Sequence, residues 1–122
     1  MFEISRERVF SASHQLRGYK GKCERLHGHN WRVRVCLQSL KLDDTGMVMD
    51  FHELDQMMAV AMEPFDHQHL NEVAVFKQIN PSAENIAHAI GESVRSQLKD
   101  PNITLRYCDV WENDFSRARY CP

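Results

Sequence analysis

The alternation of apolar and polar positions predicts strands at both ends of the chain and two helices between them. From Asn30 to Leu40, Trp31, Val33, Val35 and Leu37 alternate with Arg32, Arg34, Cys36 and Gln38. That period of two describes a strand with one face on a core and the other in polar surroundings. Phe2 to Ala12 reads as a first strand with imperfect alternation, and GMVMDF (46–51), after the LDDTG turn, as a further short strand. Leu54, Met57, Met58 and Ala61 recur at helical spacing until Pro64, which predicts a helix over Phe51 to Met62. A second amphipathic helix follows Pro81, with Ala83, Ile86, Ala87, Ile90, Val94 and Leu98 along one side and Ser82 as N-cap. In the closing strand ITLRYCDVWE, Ile103, Leu105, Tyr107 and Trp111 are expected on one face. Thr104, Arg106, Cys108, Val110 and Glu112 are expected on the other, and a last short strand runs through Arg119.

These elements predict one α+β domain over residues 1–122, in which two helices cover one face of a mostly antiparallel sheet. The uncovered face would carry Arg32, Arg34, Gln38, Thr104 and Arg106. Open sheet edges invite pairing, so closure against further copies of the chain is expected.

Composition narrows the partners. With 43% apolar and 26% charged residues the chain is an ordinary globular one. A net charge of -2, with no stripe of Lys and Arg, disfavours nucleic acid as a partner. The N-terminus MFEISRERVF has no apolar stretch of the signal-peptide kind, and nowhere do apolar residues run long enough to span a bilayer. A soluble, cytoplasmic protein without a membrane partner is therefore expected. Cys23, Cys36, Cys108 and Cys121 form no CxxC pair, and two disulfides would be expected only of a secreted chain.

The chemistry concentrates in a few polar positions. His27 and His29, two apart at the entrance to the best strand, share a face, and strand pairing can bring His14 across to them. Three imidazoles would leave one position on a zinc ion open, as catalysis requires; a Cys23 ligand would close the site and make it structural. Cys23 is flanked by Lys20, Lys22 and Arg25, which favour a thiolate able to act as base or nucleophile. Asp66 can orient His67 for proton transfer, and His69, two residues on, raises the further option of a second metal site. Glu112, near the end of its strand, can accept two hydrogen bonds from an amidine-like edge such as that of a pterin or guanine.

Taken together, FSASH (10–14), CERLHGHNW (23–31), GMVMDF (46–51), DHQHLN (66–71), NPSAEN (80–85) and the closing WEN around Glu112 run in order over nearly the whole chain. They resemble the 6-pyruvoyl-tetrahydropterin synthase and 6-carboxytetrahydropterin synthase family. The resemblance implies Zn2+ on His14, His27 and His29, Cys23 as catalytic thiol, Asp66 and His67 in proton transfer, and Glu112 as pterin anchor. It also implies the tunnelling fold, in which three copies close their sheets into an oligomeric barrel and two trimers stack as a homohexamer with active sites between subunits. The short Cys-x3-His-Gly-His spacing is similar to the bacterial carboxy-forming branch of queuosine biosynthesis. That branch would take 7,8-dihydroneopterin triphosphate, a pterin triphosphate substrate, to 6-carboxy-5,6,7,8-tetrahydropterin, acetaldehyde and triphosphate. Ser82 stands where Thr is common, Trp31 where Tyr is frequent, and Asn113 where Thr is expected. Asn113, beside the anchor, is the change with the potential to alter its hydrogen bonds.

Overall fold

The computed structural model describes residues 1–18 and 25–122. Strand β1 (Phe2–His14) pairs antiparallel with β2 (His27–Ser39) along its whole length, from Phe2 opposite Ser39 to His14 opposite His27. Helix α1 (Phe51–Met62) follows, then β3 (Gln68–His69), a two-residue strand parallel to β1. Helix α2 (Ala83–Gln97), β4 (Ile103–Asn113) and β5 (Ser116–Tyr120) complete a sheet of order β3-β1-β2-β4-β5.

Both helices lie on one face of the sheet, and the buried core runs between them. From β1 and β2 it takes Phe10, Trp31, Val33, Val35 and Leu37; from the helices, Leu54, Met58, Ile86, Ala87, Ile90 and Val94. Each helix begins on a side-chain cap. Asp50 accepts from His52 N at 2.8 Å and Ser82 accepts from Asn85 N at 3.2 Å, the role expected of Ser82. At Gly91, α2 rides directly on the sheet: a Cβ there would lie 2.9 Å from Tyr120 Cδ2 and 3.2 Å from Cys108 Cβ. No helix among the described residues is long and apolar enough to cross a membrane. Cys36, Cys108 and Cys121 are free thiols.

Two expectations are corrected. GMVMDF forms no strand. Asp43 Oδ1 collects Thr45 N, Thr45 Oγ1 and Met47 N at 2.7 to 3.0 Å, Gly46 takes φ +81°, and Asp50 is already the cap of α1. The turn chemistry takes the backbone away from any ladder, and Val48 is buried in the core from a loop. The alternation assigned to β4 is also inverted beyond Arg106. Cys36 faces Tyr107 while Leu37 faces Leu105, so Arg106 is the extra residue of a β-bulge. Ile103 and Leu105 face the helices before it; after it Cys108 and Val110 do, both fully buried.

Tyr107, Asp109 and Trp111 thereby join the uncovered face, which is polar as expected. There Arg32 lies over the Trp111 ring at 3.9 Å. Asp109, wholly buried, receives Arg119 through two bonds of 2.7 and 2.9 Å, and Glu7 receives Arg34 at 2.7 Å. The bulge also sets the phase of the next residues, so Glu112 projects to the helix-covered side.

Candidate metal centre

The centre is built where β1 and β2 end together. His14 and His27 form the last rung of their ladder, and His29 lies opposite Ala12 one pleat earlier. With a period of two, all three imidazoles fall on the helix-covered face. Their ring centroids are 4.5, 4.7 and 5.1 Å apart, and Trp31 packs edge-on to both His14 and His29 at 4.9 Å. Among the described residues they are the one group of three such side chains able to hold a metal ion, with ligand atoms within 4.8 Å of one another.

The hydrogen bonds fix which nitrogens are free. His14 Nδ1 lies 2.8 Å from the Pro81 carbonyl and His27 Nδ1 lies 2.6 Å from the Arg25 carbonyl. A carbonyl can only accept, so each neutral ring carries its proton on Nδ1 and leaves a bare lone pair on Nε2. Those two Nε2 atoms face each other at 2.9 Å, with no proton to share. The third, His29 Nε2, is buried without a partner. Two opposed lone pairs beside a buried, unpartnered ring nitrogen form a set that a bound cation would compensate. Three imidazole nitrogens gathered within 4.8 Å are a donor set able to coordinate a metal ion, and imidazole is a donor that suits zinc. Burial is the largest influence on both His14 and His29 and pushes their pKa below the usual histidine value, which favours the neutral ligand form.

Glu112 stands beside this set. Its Oε1 is 4.0 Å from His14 Nε2, and it borders a cavity of about 280 Å³ with Leu16, Ser82 and Ala83 at the start of α2. Asn113 does not share that cavity; its Oδ1 accepts from Phe115 N at 2.8 Å and shapes the β4–β5 turn.

Asp66 and His67 meet each other at the edge of the sheet, where His67 and His29 border one cavity. His67 Nδ1 is 2.9 Å from Asp66 Oδ1. Asp66 also accepts from Ser11 N at 3.1 Å, and His67 N donates to Ser11 O at 2.6 Å with His67 at φ 59°. The His67 side chain is 80% exposed. His69 spends Nδ1 on Ser13 Oγ at 3.1 Å, and no second metal cluster occurs among the described residues. Cys23, with Lys20 and Lys22, lies outside the described residues.

Sequence reasoning missed the two carbonyls that orient the ligands, because a main-chain acceptor leaves no mark in residue type. It also left Asn71 of DHQHLN and Asn80 of NPSAEN without a role. Asn71 and Asn80 each make a reciprocal pair of bonds to the backbone just past His14, at 2.7 to 2.9 Å.

Known proteins share this arrangement of chain. Residues 3–122 match the family described as 6-pyruvoyl tetrahydropterin synthase. A 6-carboxy-5,6,7,8-tetrahydropterin synthase of Synechocystis is 36% identical over 126 residues, covering 98% of this chain and 93% of its own. A 6-pyruvoyl tetrahydrobiopterin synthase of Dictyostelium discoideum is 33% identical over 124 residues, covering 92% of this chain and 91% of its own. The solved structure of Caenorhabditis elegans 6-pyruvoyl tetrahydropterin synthase is similar at a TM-score of 0.84 and 30% identity, over 100% of this chain and 97% of that one. A match of this length in sequence and fold, over a chain whose imidazole trio is suited to metal-assisted pterin chemistry, is that of an enzyme lineage, and the protein belongs to the 6-pyruvoyl tetrahydropterin synthase family.

Proposed function

We propose that the protein is a zinc-dependent lyase that converts 7,8-dihydroneopterin triphosphate and water into 6-carboxy-5,6,7,8-tetrahydropterin, acetaldehyde and triphosphate. The observation that carries a metal-assisted reaction is the convergence of three imidazoles, two with their Nε2 lone pairs fixed by carbonyls and the third with its Nε2 buried and unpartnered. When bound to His14, His27 and His29, zinc supplies Lewis acidity toward oxygens of the substrate's side chain. Glu112, next to the trio, holds the pterin ring by accepting from its ring N–H and amino group. Asp66 keeps the His67 proton on Nδ1, so that Nε2 accepts a proton from a side-chain carbon of the substrate. Cys23 carries the second proton of the transfer. The exposure of His67 at the sheet edge supports a site shared between copies, in which one chain lends Asp66 and His67 to the trio of its neighbour in a barrel of three and a hexamer of two such rings.

The carboxy product is supported by the Cys23-x3-His27 spacing and by relatives such as the Synechocystis enzyme. The Dictyostelium relative, only three points lower in identity (36 against 33), keeps a pyruvoyl product as the second reading. Incubation of the zinc-loaded protein with 7,8-dihydroneopterin triphosphate, without a nicotinamide reductant, is expected to release acetaldehyde and triphosphate in equal amounts with a carboxylated tetrahydropterin. A tetrahydropterin that keeps all three side-chain carbons would assign the pyruvoyl reaction instead. No turnover, together with loss of zinc in Cys23→Ala, would make Cys23 a fourth ligand and the metal structural.

A further inference from the structure

We propose that Asn80 is a positioning residue for the metal centre: it holds the Pro81 carbonyl against His14 Nδ1 and so keeps the Nε2 lone pair of that ring aimed at the ion. The inference rests on the metal-centre reading but concerns groups that touch neither metal nor substrate.

Past His14 the chain has lost β2 as a ladder partner, and two asparagine amides take its place. Asn71 Oδ1 accepts from Gln15 N at 2.9 Å while its Nδ2 donates to Gln15 O at 2.7 Å. Asn80 repeats the device on Arg17, accepting at 2.8 Å and donating at 2.9 Å. Each amide offers the backbone the donor and acceptor that a neighbouring strand would have offered. Arg17 returns the restraint through its guanidinium, which donates to the carbonyls of Phe76 at 2.9 Å, Asn71 at 3.2 Å and Ile79 at 3.2 Å. The Asn80 carbonyl in turn accepts from Asn85 Nδ2 at 2.8 Å, within the first turn of α2.

Pro81 therefore sits between two fixed neighbours, Asn80 clamped to Arg17 and Ser82 capping α2. Its ring fixes φ and it has no N–H of its own to redirect it, so the aim of its carbonyl is set by those neighbours. The consequence is chemical. If the carbonyl turned away, neutral His14 would relieve the 2.9 Å lone-pair contact by moving its proton to Nε2 and donating to His27 Nε2. One metal ligand would then be lost to a hydrogen bond. The carbonyl keeps the trio open to a cation, and partners of this kind set ligand affinity by about 10- to 100-fold.

Two readouts on Asn80→Ala test this, with Asn113→Ala as control because that amide bonds within the β4–β5 turn. Zinc affinity, from competition with a chromophoric chelator, is expected to fall about 10- to 100-fold in Asn80→Ala and to stay within about threefold in the control. Long-range proton–nitrogen spectra of the metal-free proteins should show His14 leaving the Nδ1–H tautomer in Asn80→Ala alone. Zinc affinity within threefold of wild type overturns the proposal, and so does weakened zinc binding with the tautomer unchanged. Asn80→Asp, which keeps the acceptor for Arg17 N and loses the donor to Arg17 O, carries the same two readouts if the alanine variant fails to fold. If the wild type itself binds no zinc, the metal reading fails, while the tautomer still decides whether Asn80 positions His14.

Discussion

Replacing Gly91 by alanine should destabilise the protein, against the usual effect of that change in a helix. In an open helix, Gly→Ala contributes about 1 kcal/mol of stability through the backbone entropy it removes. Here the new Cβ would stand 2.9 Å from Tyr120 Cδ2 and 3.2 Å from Cys108 Cβ. Neither neighbour yields easily. Tyr120 is held through its hydroxyl by Glu92 at 2.8 Å and packs edge-on to His88, and the Cys108 Cβ is rigid with the β4 backbone. Over-packing of this kind costs about 1–3 kcal/mol, so the net loss is about 1 kcal/mol once helix propensity is subtracted. For a chain of this length that corresponds to a fall of about 4 °C in Tm. Thermal and urea unfolding of the metal-free protein, at one protein concentration so that any assembly contributes equally, give the comparison. In a Tyr120→Ala background the penalty should shrink by at least about 0.5 kcal/mol, since the closer clash is gone. A Gly91→Ala variant with raised Tm in the wild-type background would refute the close approach of α2 to β4 and β5.

Alanine at His14, His27 or His29 should each weaken zinc binding by about a hundredfold or more, read by elemental analysis and chelator competition. Glu112→Gln should impair binding of a pterin product analogue by at least about tenfold while zinc stoichiometry holds, because an amide cannot supply paired acceptors; unchanged affinity in calorimetry would remove Glu112 from recognition. Metal-free stability should fall as pH drops below the ordinary histidine value of 6.5, since His14 and His29 resist protonation in the fold and accept it in the unfolded chain. Their contribution is complete above 6.5 and is lost on acidification toward the lowered native values, so urea midpoints that rise between pH 6.5 and 5.5 would contradict the lowered values of His14 and His29. Burial pushes the Cys108 thiol up to about 12, and raises Cys36 as well, so mass mapping after brief alkylation at pH 8 should find both unmodified and exposed Cys121 labelled.

What could be read in advance was local. Trp31 to Leu37 declares its strand by period, and Ser82 declares the start of α2 by cap chemistry, each within a few residues of sequence. The inverted phase of β4 was not legible, because the bulge at Arg106 exists only against the register of β2. GMVMDF misled for the complementary reason: its apolar residues serve the core, but Asp43 and Asp50 settle the backbone through side-chain bonds that alternation does not weigh. At the site, the imidazole trio followed from spacing and pairing. Its tautomers did not, since they depend on the Pro81 and Arg25 carbonyls. Asp66 and His67 were legible as a pair, whereas their attachment to Ser11 at the edge of β1 was not, since it depends on backbone bonds and the positive φ of His67.

The placement of His14 opposite His27 as the final rung gives an ion there a topological effect. A ladder is ordinarily weakest at its open end, where the terminal residues fray for want of a further neighbour. An ion shared by both strands would fasten that end, much as a cross-link between positions 14 and 27 would, removing freedom from every partly opened state of the ladder. Amide hydrogen exchange in β1 and β2 should then be slowed most near His14 and His27 on loading, so that the catalytic end of the hairpin becomes its best-secured point.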